Sequence, residues 1–209
     1  MAMKLYFSSS SPFVRKVRIA AIELGLDDRI ELIPTAVVPG KPNADYAREA
    51  NPLRRVPALT TESGQVLYDS TVICEYLDDR AGGGRLIPQD RERRWQVLTS
   101  HALAQGMCES AVLLRYETWL RPEAQRWSVW IDDQWDKIDS GLKWFEEHEQ
   151  VLREPIDLGQ IALGVLLGYL DFRSPDKDWR QDAPKVAAWY GTFCERPSLR
   201  ETEPANPPS

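Results

Sequence analysis

Cysteine and histidine are scarce in this 209-residue chain, and their scarcity removes several chemistries at once. The three cysteines, Cys74, Cys108 and Cys194, are odd in number, far apart and never arranged as CxxC. Neither a disulfide framework nor a thiol-redox motif is expected, and free thiols fit a reducing, cytoplasmic setting. The two histidines, His101 and His148, have no His or Cys at ligand spacing, so no metal site and no histidine-based triad is expected. A basic excess is also lacking. Lys and Arg number 26 against 32 Asp and Glu, a formal charge of -6, and the basic residues are scattered rather than striped. That balance argues against nucleic acid as a partner. Long apolar runs are missing as well. The longest, IALGVLLGYL (Ile161–Leu170), is too short for a bilayer, and MAMKLYFSSS lacks the charged, apolar and cleavable sections of a leader. Neither a membrane segment nor a leader is expected.

What the chain does contain is core-forming material: 43% hydrophobic residues and eight tryptophans, which point to a well-packed globular protein. MKLYFS reads as a strand, and from Pro12 the apolar residues fall at helical spacing (Phe13, Val17, Ala20, Leu24) until Gly25 stops the helix. RIELIPTAV reads as a second strand. A loop follows, with a short helix expected around Ala44–Ala50. VPALTT and GQVLYDS give two further strands, and STVICEYLDDR gives a helix expected to be capped by Ser70. The glycines and proline of AGGGRLIPQ mark a linker. Strand signals then vanish. Trp95, Leu98 and Ala102 open a long helical pattern, and Pro122 is expected to open another. The Leu158–Tyr169 stretch is apolar on all sides, as a buried helix would be, and Pro184 opens a last helix. ETEPANPPS reads as a disordered tail. The expected architecture is an α/β domain followed by an all-helical one.

Four consecutive serines, Ser8 to Ser11, stand where the first helix begins. Serine before proline is the favoured N-cap arrangement, so Ser11 is expected to cap the helix. One serine suffices for that, and position 14 has no Glu or Gln to complete a capping box. Helix N-termini also stabilise anions, and a hydroxyl placed there can hold a thiolate. DLGQ (Asp157–Gln160) reads as a capping box for the buried helix, a folding feature with no catalytic role.

These elements in this order resemble the cytosolic glutathione S-transferase family over almost the whole chain. SPFVRKVRIA looks like the serine-type active-site segment of tau and related bacterial members. SSSS…KVRIA is similar to the SSCSxRVRIA pattern of the zeta class, and GQIALGVLLGYLDFR to the core helix of a bacterial subgroup. The resemblance implies a thioredoxin-like glutathione-binding domain over residues 1–81, a linker over 82–90, and an all-α helical bundle over 91–209 that forms the electrophile site. It implies glutathione as co-substrate, no metal, a homodimer, and a role in detoxification. Ser11 is then the thiolate hydrogen-bond donor, with Ser10 as the alternative one register away. Val56, before a Pro57 expected to be cis, would pair its backbone with the cysteinyl part of glutathione. Ser70 and the following N–H groups would receive the γ-glutamyl carboxylate, Asp69 the ammonium group, and Arg55 is a candidate for the glycyl carboxylate.

Phe13 and Tyr116 are candidates for the electrophile pocket. Trp119 and Trp127 are expected in the helical core. Asp132, Asp133, Asp136 and Asp139 read as a solvated helix face rather than a metal cluster, and the cysteines as small buried hydrophobes. The expected activity is transfer of alkyl or aryl groups from small, partly apolar electrophiles to the glutathione thiolate. Two alternatives stand beside it: a glutathione-dependent isomerase of the maleylacetoacetate type, against which the Cys of SSCS is serine here, and a non-catalytic glutathione-binding interaction protein. A thiol transferase of this kind would want cysteine at position 11.

Overall fold

A computed structural model describes residues 2–153 and 155–206, which divide into two compact units: residues 2–89 with 197–206, and residues 90–153 with 155–196. The first unit runs β1 (Met3–Phe7), α1 (Pro12–Leu24), β2 (Ile30–Pro34), α2 (Ala44–Glu49), β3 (Ala58–Thr60), β4 (Val66–Leu67), α3 (Ser70–Arg80). Its strands form one sheet in the order β2-β1-β3-β4. β1 pairs parallel with β2 (Leu5 opposite Leu32), and antiparallel with β3 (Leu5 opposite Leu59), while β3 pairs antiparallel with β4 (Leu59 opposite Leu67). This is the thioredoxin-like arrangement. The parallel pair needs a crossover, and α1 supplies it.

The core of this unit follows from the apolar spacing. Met3 and Leu5 of β1, Val17, Ile19, Ala20 and Leu24 of α1, and Ile73, Cys74 and Leu77 of α3 are all buried. Gly25 ends α1 in the left-handed region (φ 70°), which glycine enters without a Cβ clash, and the N–H groups of Gly25 and Leu26 close on Ile22 and Ala21. The glycine-rich segment after α3 is anchored by one buried carboxylate. Asp78 accepts the N–H groups of Gly84, Arg85 and Leu86 at 2.8–3.1 Å. Arg85 in turn donates to the Glu23 and Leu24 carbonyls at the end of α1.

The last segment departs from the sequence expectation of a helical domain reaching residue 209. From Pro197 onward the chain belongs to the first unit, and its described part is not disordered. It includes the short helix α8 (Pro197–Arg200) and the buried Ser198, Leu199 and Thr202. Polar partners on α1, the buried Arg15 and the half-buried Glu23, hold it: Ser198 Oγ donates to Glu23 (2.5 Å) and Arg15 Nη2 to the Leu199 carbonyl (3.0 Å). Composition alone gives no sign of these long-range bonds.

The second unit is all helical: α4 (Arg91–Trp119), α5 (Ser128–Glu147), α6 (Leu158–Arg173) and α7 (Pro184–Phe193). α6 is buried from Leu158 to Leu170, as its all-round apolar sequence requires, and packs on α4. A Cβ on Gly159 would collide with the Ser100 hydroxyl of α4, and one on Gly141 of α5 with the Met107 side chain. Asp157 caps α6 by accepting the Gln160 N–H at 3.0 Å. The expected capping box is only half made, because the Gln160 amide donates to the carbonyls of Val151, Arg153 and Pro155 instead.

Two further expectations fail here. Pro122 opens only a short 3-10 turn (Glu123–Gln125), and α5 begins at Ser128. The intervening chain is held by polar bonds to the end of α4: Glu117 accepts from Arg121 and from the Trp127 N–H, and Arg126 donates to the Thr118 carbonyl. Trp119 and Trp127 are not core residues, being 50% and 63% exposed. Trp119 lies at the end of α4 under the Arg115 guanidinium, and Trp127 lies in the connection.

Candidate functional site

The sheet register gathers the expected site segments. β1 runs into the serine turn at its C-terminal end. Because β3 is antiparallel to β1, with Ala58 opposite Tyr6, Val56 and Pro57 enter the sheet at that same end. β4 is antiparallel to β3, with Leu67 opposite Leu59, so Tyr68, Asp69 and Ser70 leave the sheet there too. Three segments distant in sequence thus meet at one end of a four-stranded sheet, and two of them are helix N-termini.

At the first, Ser8 to Ser11 form a turn closed by Ser11 N–H to the Ser8 carbonyl (3.1 Å). Ser11 takes an extended backbone (φ -83°, ψ 120°) before Pro12, and its Oγ accepts the Val14 N–H at 3.3 Å. It is the N-cap, as the sequence indicates. Acceptance uses a lone pair and leaves the hydroxyl hydrogen free to donate. The Ser10 hydroxyl is 3.3 Å from that of Ser8, and either of the two can donate. Val14, one turn further on, belongs to a buried cluster with Tyr46, Ala50, Val56 and Ala58, which ties α1 to the segment entering β3.

That segment contains a cis Val56–Pro57 peptide bond. Its approach is fixed by two residues not singled out from the sequence. The Tyr46 hydroxyl and the Asn51 amide both donate to the Arg55 carbonyl, at 2.7 and 2.9 Å. Asn51 also accepts the Leu53 N–H, and Arg54 takes a left-handed backbone with φ 55°. Burial, reinforced by Tyr6, pushes the Tyr46 phenol well above its ordinary pKa, so it remains a donor at any working pH. The readable signal was Asn51-Pro52, a turn-initiating pair. Arg55 is exposed, and its backbone rather than its side chain carries these contacts.

At the second helix N-terminus the cap is Asp69, not Ser70. Asp69 accepts the Thr71 N–H at 2.9 Å from an extended backbone, and its peptide bond to Tyr68 is cis. Both residues suit an N-cap; the chain's path out of β4 decides between them. Ser70 is therefore the first helical residue. It is 1% exposed, and its Oγ is buried without a hydrogen-bond partner. Such a hydroxyl is a standing cost in a folded protein.

The remaining candidates are dispersed. Phe13 is half-buried in α1 of the first unit; Tyr116 is at the exposed side of α4 in the second. Cys74 and Cys108 are buried, and burial pushes the Cys74 thiol up to about 12 although Lys16 opposes it. Cys194 follows α7 and is partly exposed. Asp133 and Asp139 of α5 pair with Lys137 and Lys177. No group of three or more His, Cys, Asp or Glu suited to a metal occurs among the described residues. No described helix is long and apolar enough to cross a membrane.

Comparison with known proteins agrees with this geometry. Family models of the glutathione S-transferase N-terminal and C-terminal domains match residues 10–80 and 128–192. The GST-like protein YibF of Escherichia coli is 32% identical over 207 residues, 97% of this chain and 98% of its own. A glutathione transferase family member from Pseudomonas fluorescens Pf-5, crystallised with bound glutathione, superposes with a TM-score of 0.93 at 42% identity over the full length of both chains. A P. fluorescens Pf-5 family member with bound S-(propanoic acid)-glutathione gives 0.90 at 41% identity, covering 98% of this chain and all of its own. Sequence, sheet topology and helical unit together place this chain in the glutathione S-transferase family.

Proposed function

We propose that the protein binds glutathione at the end of the sheet where β1, β3 and β4 present the serine turn, Val56 and Ser70, and that it conjugates the thiol to small, partly apolar electrophiles. The observation that carries this reading is the convergence of two helix N-termini and one cis-proline segment at that end. A tripeptide needs such surroundings: backbone groups to pair with its own, and N–H groups for its carboxylate. Val56 would supply the backbone pairing. The Ser70 hydroxyl and the first N–H groups of α3 would receive the γ-glutamyl carboxylate, and Asp69 the ammonium group.

Ser11 is the catalytic residue of this reading. A free thiol of pKa ~8.5 is only a few per cent ionised at neutral pH. Lowering that pKa by about 2 stabilises the thiolate by ~2.7 kcal/mol. The free Ser11 hydrogen and the N-terminus of α1 provide this without a general base. Ser11 is favoured over Ser10 because its hydroxyl sits at the N-cap of α1, beside the N-terminus that stabilises an anion. The binding of S-(propanoic acid)-glutathione by a relative 41% identical to this chain favours an electrophile that leaves a carboxylate-bearing thioether. The reading includes a cytoplasmic homodimer, and light scattering that returns the single-chain mass of 23.9 kDa would count against the dimer.

The test is retention on immobilised glutathione followed by turnover of chlorodinitrobenzene and of an acrylate-type electrophile. Retention with saturable turnover is expected. Retention without turnover of either would favour a glutathione-binding interaction protein, and loss of both would overturn the reading.

A further inference from the structure

The chain after Pro197 runs antiparallel along α1, bonded to it at two levels and to the turn before it at a third. At the far end of α1, Ser198 Oγ donates to Glu23 at 2.5 Å. In the first turn, Arg15, only 6% exposed, donates from Nη2 to the Leu199 carbonyl at 3.0 Å and from Nε towards Thr202 Oγ1 at 3.5 Å. Thr202, 2% exposed, donates its own hydroxyl to the Ser198 carbonyl at 2.7 Å. Beyond the helix, the Ala205 N–H donates to the Ser9 carbonyl at 3.3 Å.

That last bond reaches the serine turn itself. The Ser9 carbonyl belongs to the peptide that joins Ser9 to Ser10, inside the four-residue turn whose last member is Ser11. Rotating that peptide turns Ser10 and shifts Ser11 with it. The cap bond of Ser11 and the Ala205 bond are equally long, 3.3 Å, so neither fixes the turn by itself and the two hold it from opposite sides of Ser10. We propose that the C-terminal segment is a positioning element for catalysis: the Ala205 N–H holds the Ser9 peptide, and the Arg15 clasp brings Ala205 to it. The inference rests on the reading of Ser11 as the thiolate donor. Ala205 touches no substrate and acts through the turn. A donor displaced by a fraction of an ångström loses most of its effect on a thiolate while leaving the tripeptide's other contacts in place.

Ala205→Pro removes the N–H and puts the ring Cδ in its place against the Ser9 carbonyl, and a chain ending at Pro204 removes the N–H without the ring. Ala205→Gly keeps it. For the first two, turnover at neutral pH should fall about three- to tenfold, and the alkaline-rising limb of kcat should move up by about half to one pH unit. The glutathione KM and the melting temperature should stay close to wild type. Ala205→Gly should restore the wild-type profile. A wild-type pH profile in both deletions of the N–H, or a loss confined to KM and melting temperature, would overturn the proposal. Ser11→Ala separates the two ideas: if it moves the profile and the Ala205 variants do not, only the tail's role falls; if Ser11→Ala leaves the profile unmoved, both fall.

Discussion

The Tyr46 hydroxyl donates to the carbonyl of Arg55 at 2.7 Å, one residue before the backbone that is proposed to pair with glutathione. Tyr46→Phe removes this bond and nothing else of similar size. The Arg55 carbonyl keeps Asn51, so the loss should cost about 1 kcal/mol of stability and raise the glutathione KM a few-fold, with kcat little changed. Combined with Asn51→Ala the loss should exceed the sum of the single effects, because both donors hold one carbonyl. Thermal melts and steady-state kinetics on the three variants check this.

Ser70 gives the opposite sign for stability. Its buried hydroxyl has no partner in the free protein, so Ser70→Ala removes an unsatisfied polar group. The melting temperature should hold or rise, while glutathione affinity falls about tenfold, ~1.4 kcal/mol. Calorimetric titration beside a thermal melt reads both. A drop in melting temperature with unchanged affinity would make Ser70 a structural residue.

The thiols should divide by burial. Cys74 and Cys108 are buried and Cys194 is partly exposed, so a disulfide reagent at pH 8 should label one thiol per native chain and three per unfolded chain. Cys74 also sets a pH limit. Burial, the main cause, pushes its thiol up from an ordinary 9.0 to about 12 in the folded chain. Tyr169, likewise buried, is pushed from 10.0 to about 12. Between about pH 9 and 12 the unfolded chain holds fewer protons than the folded one, so stability should fall as pH rises through that window. Cys74→Ala should flatten the alkaline decline; an identical slope would show that other groups set it.

Local chemistry made much of the fold legible. Ser11-Pro12 and Gly25 mark both ends of α1 because capping and left-handed backbone depend on adjacent residues. The buried α6 announced itself by apolar residues on every face. Misreadings arose where distant chain decides. Asp69 and Ser70 both suit an N-cap, and the exit from β4 chose Asp69. The polar, proline-rich tail looked free, yet Arg15 and Glu23, placed on α1 by tertiary structure, hold it. Trp119 and Trp127 have core-like side chains but sit where helices end, which composition does not reveal. At the candidate site, Ser11, Val56, Pro57 and Ser70 could be singled out from the sequence as expectations of the family resemblance. Tyr46 and Asn51 could not, because their role is to hold a carbonyl that any residue would carry.

Ser11 is proposed to hold the thiolate, and the thiol pKa of bound glutathione tests this most directly. Ser11→Ala removes the cap, which should lower stability by ~1 kcal/mol, and also removes the thiolate donor. The measurement is the pH dependence of thiolate absorbance at saturating glutathione, in wild type, Ser11→Ala and Ser10→Ala. The expected results are a wild-type pKa about 2 below that of free thiol, a rise of about one pH unit or more in Ser11→Ala at nearly unchanged affinity, and a wild-type curve for Ser10→Ala. Superimposable titrations of wild type and Ser11→Ala would contradict it and leave Ser11 with capping alone.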